Sequence, residues 1–223
     1  MFMKFEEKYE KLSNMYPKNV TVEIDGKPHT FACAEAAFLA FRTPERADEF
    51  IERTGKEAQK LAESMPARKD WDAVKVDCMR KVIKAKFTGK GFQNIVMRTF
   101  LTHLEGEIIY ECEDTFWGVN ANGIGENMLG KIIMDVRDEE NPFRLCVCGS
   151  SNFVDYERMC AVLDSLLKNK KYITVGCDGE KGTGILAKRY AEEHGHAVRV
   201  FKANWQENGK SAGYKRNESM QSW

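Results

Sequence analysis

The sequence predicts an α+β half, mostly helical with a small β-hairpin, followed by a short α/β half with a parallel sheet. Three observations carry this. Asp25-Gly26 joins two short β-rich runs, Val20–Ile24 and His29–Phe31, as a hairpin dipeptide does. Apolar residues then recur at helical spacing as far as Arg137. Beyond Asp138-Glu139-Glu140-Asn141-Pro142 the period changes to short apolar runs alternating with helical stretches.

The elements follow in order. A helix is expected from Ala34 through EAAFLAFR, and a second over Lys56–Met65, which Pro66 breaks. Asp70 stands where it would cap a helix carrying Trp71, Val74, Cys78 and Val82 on one face. Phe92–Leu104 reads as a helix with Phe92, Ile95, Val96, Thr99 and Phe100 as its apolar face. Ile108–Tyr110 is strand-like, and Asn127–Arg137 places Met128, Leu129, Ile132, Ile133 and Val136 together. In the second half, Leu145–Cys148, Tyr172–Val175 and Ala197–Phe201 are strands, and helices are expected near Val154–Lys168 and Gly184–His194. That βαβαβ order favours a parallel sheet with right-handed crossovers. The expected domains are residues 1–140 and 143–223. Only 22 residues follow the third strand, so the second is expected to be minimal, truncated, or completed by a homo-oligomeric partner.

Lys+Arg and Asp+Glu each number 34, so no whole-protein basic field attracts nucleic acid, although a local pocket remains open to it. No apolar run is long enough to span a membrane, and MFMKFEEKYEKL lacks the apolar core of a secretory signal. Seven cysteines are scattered; Cys146-Val-Cys148 is the nearest to a pair and is read as packing. Together with four histidines outside any metal spacing, this implies a reduced, cytoplasmic protein with neither metal nor cofactor.

The segment EDTFWGVNANGIGENMLGKI, Glu113 to Ile132, contains Gly125-x-x-x-x-Gly130-Lys131. A nucleotide-cradling loop follows a buried strand and continues with Ser or Thr. Here Trp117-Gly-Val-Asn-Ala-Asn precedes it and Ile132 follows, so that reading fails. A glycine-rich loop ending at a helix N-terminus still suits an anion, with Lys131 one turn in; a solvated lysine on a plain turn explains the local sequence equally. Glu35, among small and aromatic residues with Arg42 at i+7, is either a dipole-favoured N-terminal residue or a desolvated acid/base. Asp114, Trp117 and Trp71 are further candidates.

The order of these pieces resembles the NADAR (YbiA-like) family over residues 12–137. The matching segments are Leu12-Ser13-Asn14-Met15-Tyr16, Ala34-Glu35-Ala36-Ala37-Phe38 through Arg42, and Arg68-Lys-Asp-Trp71-x-x-Val74-Lys75. Met79, Lys86-Phe87, Asp114-Thr-Phe-Trp117-Gly118 and Gly123-x-Gly125-x-Asn127-x-Leu129-Gly130-Lys131 complete the series. The second half resembles the Rossmann-like SLOG superfamily through Gly149-Ser150-Ser151, Gly182-Thr183-Gly184, Lys210 and Arg216-Asn217.

The first resemblance implies hydrolysis of a ribose C1′–N bond, either in ADP-ribosylated guanine or in the phosphoribosylamino-pyrimidine of riboflavin synthesis, with the former favoured because the second half also looks built for a nucleotide. Such cleavage passes through an oxocarbenium-like state and needs a carboxylate plus an acid. Glu35 and Asp114 are that pair, with acid and base unassigned. Asn14, Arg42, Arg68, Trp71, Trp117, Gly118, Asn127 and Lys131 are the implied substrate contacts. The second resemblance implies a nucleotide held by Gly149, Ser150, Ser151, Gly182, Thr183, Gly184, Lys210, Arg216 and Asn217. A non-catalytic ADP-ribose or nucleotide sensor is the alternative from another class.

Overall fold

The computed structural model describes Phe5 and residues 7–223. It divides into two compact units, residues 1–140 and 141–223, each described separately below.

The first unit starts with a 3-10 turn over Glu7–Leu12 and a hairpin of β1 (Pro17–Ile24) and β2 (Lys27–Cys33). Asp25 and Gly26 have φ of 48° and 76°, the left-handed pair that a two-residue hairpin turn requires. Burial alternates strictly along β1, so Val20, Val22 and Ile24 enter the core. Lys18 takes an inward position too. Its Nζ bonds Asn19 O and Asn94 Oδ1, which compensates part of its desolvation.

Helix α1 (Ala34–Arg42) follows at once, and its Cys33 cap accepts the Ala36 N–H. The remaining helices of this unit are α2 (Gly55–Glu63), α3 (Trp71–Thr88), α4 (Phe92–Thr102) and α5 (Met128–Glu140). A Thr54/Glu57 capping box starts α2. α3 runs through the centre, packed against β1, α1, α4 and α5. Arg80 and Lys84 on α3 pair with Asp135 and Glu139 on α5.

Two expectations are corrected. On α4 the buried residues are Asn94, Met97 and Leu101, whereas Phe92, Ile95 and Val96 are exposed. The helix is rotated because Asn94 turns inward to accept from Lys18 and to donate to Ala85 O. Asp70 precedes α3 but makes no capping bond, because the Arg68 guanidinium holds both of its oxygens.

The second unit is a parallel sheet ordered β3 (Phe143–Cys146), β4 (Ile173–Cys177), β5 (Ala197–Val200). Helices α6 (Tyr156–Leu167) and α7 (Thr183–Glu193) share an apolar cluster with Val175 and Cys177 on one face. Gly176 points to the other face, where a Cβ would meet the Trp223 ring at 2.4 Å. The short α8 (Trp205–Asn208) and α9 (Ala212–Gln221) close the unit. Cys146, the last residue of β3, and Cys148 beyond it are both exposed and line one groove; the expected packing role does not hold. Among the described residues, no helix is long and apolar enough to cross a membrane.

Candidate active site

Helix α1 buries Ala34, Ala36, Ala37, Phe38, Ala40 and Phe41. Its half-buried stripe is therefore Glu35, Leu39 and Arg42, and all three line a cavity of about 460 Å³. Gln59 and Glu63 face it from α2, Met79 from α3 and Leu129 from α5. Asn14 comes from the turn before β1, and Tyr110, Cys112, Asp114 and Trp117 from the segment between α4 and α5. The site is thus the one stripe of α1 that the core leaves uncovered, walled by α2, α3, α5, the turn before β1 and the segment between α4 and α5.

Glu35 is tightly held. Its N–H donates to Asn14 O at 3.0 Å, and Gln59 Nε2 donates to Oε1 at 2.8 Å. Burial pushes its carboxyl above the usual carboxylate range, and bonds from the Gln59 and Asn14 side chains pull it partly back. Among the described residues Asn14 Oδ1 is buried without a partner, and its Nδ2 reaches Met79 Sδ at 3.5 Å. A buried acceptor left open is costly, so native structures keep such atoms where they have work or a ligand.

Arg42 Nη1 donates to Ala62 O and Met65 O at 2.8 and 2.9 Å, fastening the end of α2. Nε and Nη2 make no bond among the described residues, leaving donors for an anion. Asp114 Oδ1 accepts from Phe116 N and Trp117 N, so one oxygen shapes the loop while the residue lines the cavity. Phe38 lies between two indoles, 5.1 Å from Trp71 and 5.3 Å from Trp117. Burial raises the Tyr110 phenol, with Cys112, Glu35 and Asp114 adding to it. Tyr110 is therefore a neutral hydroxyl near both carboxylates.

Of the ten residues implied for this half, the cavity gathers Asn14, Glu35, Arg42, Asp114 and Trp117. Trp71 lies behind Phe38, and Arg68 is closed on Asp70. Gly118 is buried against Tyr110 O and Cys112 Sγ, a packing position. Asn127 Oδ1 accepts from Tyr110 N, and its Nδ2 donates to Ile108 O. The anion seat expected at the start of α5 is filled by protein: Met128 N and Leu129 N donate to Phe116 O and Trp117 O. Lys131 is exposed and off the cavity wall. The glycines of this loop serve close packing; at Gly130 a Cβ would stand 2.3 Å from Ile108 O. Gln59, Glu63, Tyr110 and Cys112 were missed. The i, i+4 spacing of Gln59 and Glu63 on α2 is the signal that could have found two of them.

The nine residues implied for the second half are dispersed. Gly149, Ser150 and Thr183 border a cavity of about 490 Å³ with Phe153, Met159 and Leu163. There Thr183 N and Oγ1 both donate to Ser150 O at 3.1 Å. At Gly182, φ is 87° and a Cβ would lie 2.4 Å from the same oxygen. Ser151 and Gly184 do not reach that cavity. Arg216 is clasped by Asp178 and Glu180 at 3.4 and 2.8 Å. Asn217 borders the separate groove with Cys146 and Cys148, and Lys210 is exposed.

Comparison with known proteins adds names to this geometry. Residues 1–139 match the model of the NADAR domain, and residues 143–207 match that of the YspA, cpYpsA-related SLOG family. N-glycosidase YbiA of Escherichia coli K12 is 35% identical over 78 residues, covering 34% of this chain and 46% of the relative. N-glycosidase Npun_R5314 of Nostoc punctiforme is 39% identical over 75 residues, covering 32% and 45%. The chloroplastic riboflavin biosynthesis protein PYRR of Arabidopsis thaliana is 31% identical over 114 residues, covering 50% and 17%. The chain thus spans under half the length of these relatives. The NMR structure of Escherichia coli YbiA aligns with a TM-score of 0.52 at 26% identity, over 62% of this chain and 83% of that one.

Proposed function

Because the chain belongs to the NADAR family, we propose that its first unit is an N-glycosidase that hydrolyses the C1′–N bond of a phosphate-bearing ribosylated base. The observation that carries this is the desolvated Glu35 carboxyl, held by Gln59 and Asn14, in a cavity shared with Asp114. Water adds at C1′, the C1′–N bond breaks, and the leaving nitrogen takes a proton. Glu35, whose raised carboxyl holds a proton at higher pH than an exposed one, is the group suited to that exchange. Asp114 supplies the second carboxylate beside the positive charge that develops at C1′. Trp117 offers an aromatic wall for the base, and the unbonded side of Arg42 a phosphate contact.

The sequence preference for ADP-ribosylated guanine leaned on the nucleotide loops of the second half. In those loops Thr183 is closed on Ser150 O, and among the described residues the first unit's cavity wall carries one guanidinium, Arg42. One cationic fork suits one phosphate. We therefore place a phosphoribosylamino-pyrimidine first and ADP-ribosylated guanine second. Incubating the protein with each substrate and with NAD, and following the freed sugar and base by mass spectrometry, tests both levels. Sugar released from the phosphoribosyl compound is expected. Release from ADP-ribosylated guanine alone reverses the ranking, and ligand-induced thermal stabilisation without any release replaces the enzyme by a binding module.

A further inference from the structure

Lys86 on α3 is fully buried, and no carboxylate acts on it among the described residues. A lone ammonium in an apolar interior is costly unless strong bonds compensate it. Its Nζ makes two, donating to Leu12 O at 3.2 Å and to Ser13 O at 2.6 Å. Those carbonyls immediately precede Asn14, which meets Glu35 through its own carbonyl and through its side chain. Met79, two helical turns earlier on α3, touches the Asn14 amide. One rigid helix therefore grips the turn at two points, and the turn in turn holds the start of α1, where Glu35 lies.

We propose that Lys86 is a positioning residue for Glu35, acting through the Leu12–Asn14 turn. The inference rests on the glycosidase reading above. Lys86 does not border the cavity, so substrate contact is not its role. Lys18 supplies an internal contrast. It is a second buried lysine, but its partners Asn19 O and Asn94 Oδ1 lead away from Glu35. The groups facing Lys86 are the Leu12 and Ser13 carbonyls, Cys33 just before α1, Lys18 on β1 and the Phe87 ring at 5.1 Å on its own helix. Burial, opposed by Cys33 and helped by Lys18, brings its ammonium down to about 7.

The test compares Lys86→Met with Lys18→Met in the full chain. Lys86→Met removes both donors at similar side-chain length. A misplacement of about 1 Å at a reacting group costs on the order of 100-fold, so kcat should fall about 10- to 100-fold with KM little changed. The kcat/KM limb set by Glu35 should also move to higher pH, since the Asn14 bond that lowers its carboxyl is loosened. Lys18→Met should keep both the rate and the limb. A folded Lys86→Met with unchanged kcat and limb overturns the proposal, as do equal losses in the two variants.

A second arm covers failure of Lys86→Met to fold. In the Glu35→Gln protein, the amide signals of Asn14 and residue 35 should titrate together with a midpoint near the Lys86 value of about 7. Amides that stay still through that range overturn the coupling. Borohydride added during turnover should leave Lys86 unmodified; a trapped sugar adduct on it would make it a nucleophile instead. If the parent protein releases no sugar from any substrate, the glycosidase reading fails, while the amide titration still decides the coupling.

Discussion

In the first unit, among the described residues, Asn14 Oδ1 is buried without a partner, Arg42 binds protein through one of its nitrogens, and Glu35 is held in a desolvated seat. In the second, Thr183 N and Oγ1 converge on Ser150 O, and Arg216 is clasped by Asp178 and Glu180. Both units carry glycine-rich loops before a helix, so the local sequence looks alike. The difference is in the hydrogen-bond accounts: among the described residues, Asn14 and Arg42 of the first unit keep valences open at a cavity, whereas Thr183 and Arg216 of the second are spent on protein groups. A motif marks where a ligand is able to bind, and the unspent donors and acceptors say whether room is kept for one.

The sharpest way to break this contrast is at the open site. Glu35→Gln and Asp114→Asn should each lower turnover by about 100- to 10,000-fold, the range of a lost acid or base. Neither should unfold the protein: Gln at 35 keeps an oxygen for Gln59, and Asn at 114 keeps one for the Phe116 and Trp117 amides. Glu35→Gln should equal or exceed the parent in melting temperature at pH 7. A carboxyl raised in the fold lends stability below its unfolded value, and this is lost as pH rises through the folded value. A variant with parental rate, or a melting temperature well below the parent, removes Glu35 from its assigned role.

At the closed site the expected effect is on stability. Gly182→Ala forces φ of 87° on a residue with a side chain and drives a Cβ toward Ser150 O. It should destabilise the second unit by about 1–3 kcal/mol, the scale of such backbone strain, and leave the glycosidase rate unaltered. Denaturant unfolding followed through Trp205 or Trp223 reads the first effect and the sugar-release assay the second. Loss of activity in this variant would join the two units functionally and undo the contrast.

A smaller effect sharpens the role of Gln59. Its bond to Glu35 favours the charged carboxylate, so Gln59→Leu should raise the Glu35 carboxyl further. The kcat/KM limb governed by that group should shift to higher pH, while the pH-independent maximum changes only a few-fold. A shift to lower pH would mean that Gln59 serves the protonated form.

The sequence made the helices, hairpin and parallel sheet legible because each rests on local signals: Asp25-Gly26, the stripes of α1 and α5, and the change of period after Pro142. It misjudged α4 because a buried Asn94 paired with Lys18 outweighed an apolar stripe, and that partner is 76 residues away. Site residues on one helix face, such as Glu35 and Arg42, could be grouped from spacing. Gln59 and Glu63 share a face of α2 by spacing, but what brings that face, and Tyr110 and Cys112, to Glu35 is packing between α2, α1 and a loop. The Gly125–Lys131 segment shows the converse. Its motif was visible, but carbonyls from Phe116 and Trp117 occupy the amides it advertised.

That segment yields the smallest expected effect, and a decisive one for how the loop is read. If the start of α5 bound the substrate phosphate, Lys131→Ala would raise KM by roughly the 10-fold or more that a charge-assisted contact contributes. With the Met128 and Leu129 amides already bonded and Lys131 exposed off the cavity wall, KM should instead change less than about twofold, the size of a surface charge effect. Arg42 is the counterpart: Arg42→Met should raise KM by about 10-fold, since among the described residues it is the cation of that wall and Nη1 alone is spent on protein carbonyls. Measuring the two variants side by side, at low and high salt, assigns the phosphate to one end of the cavity or the other. A KM rise in Lys131→Ala that salt abolishes would return the anion seat to the glycine-rich loop.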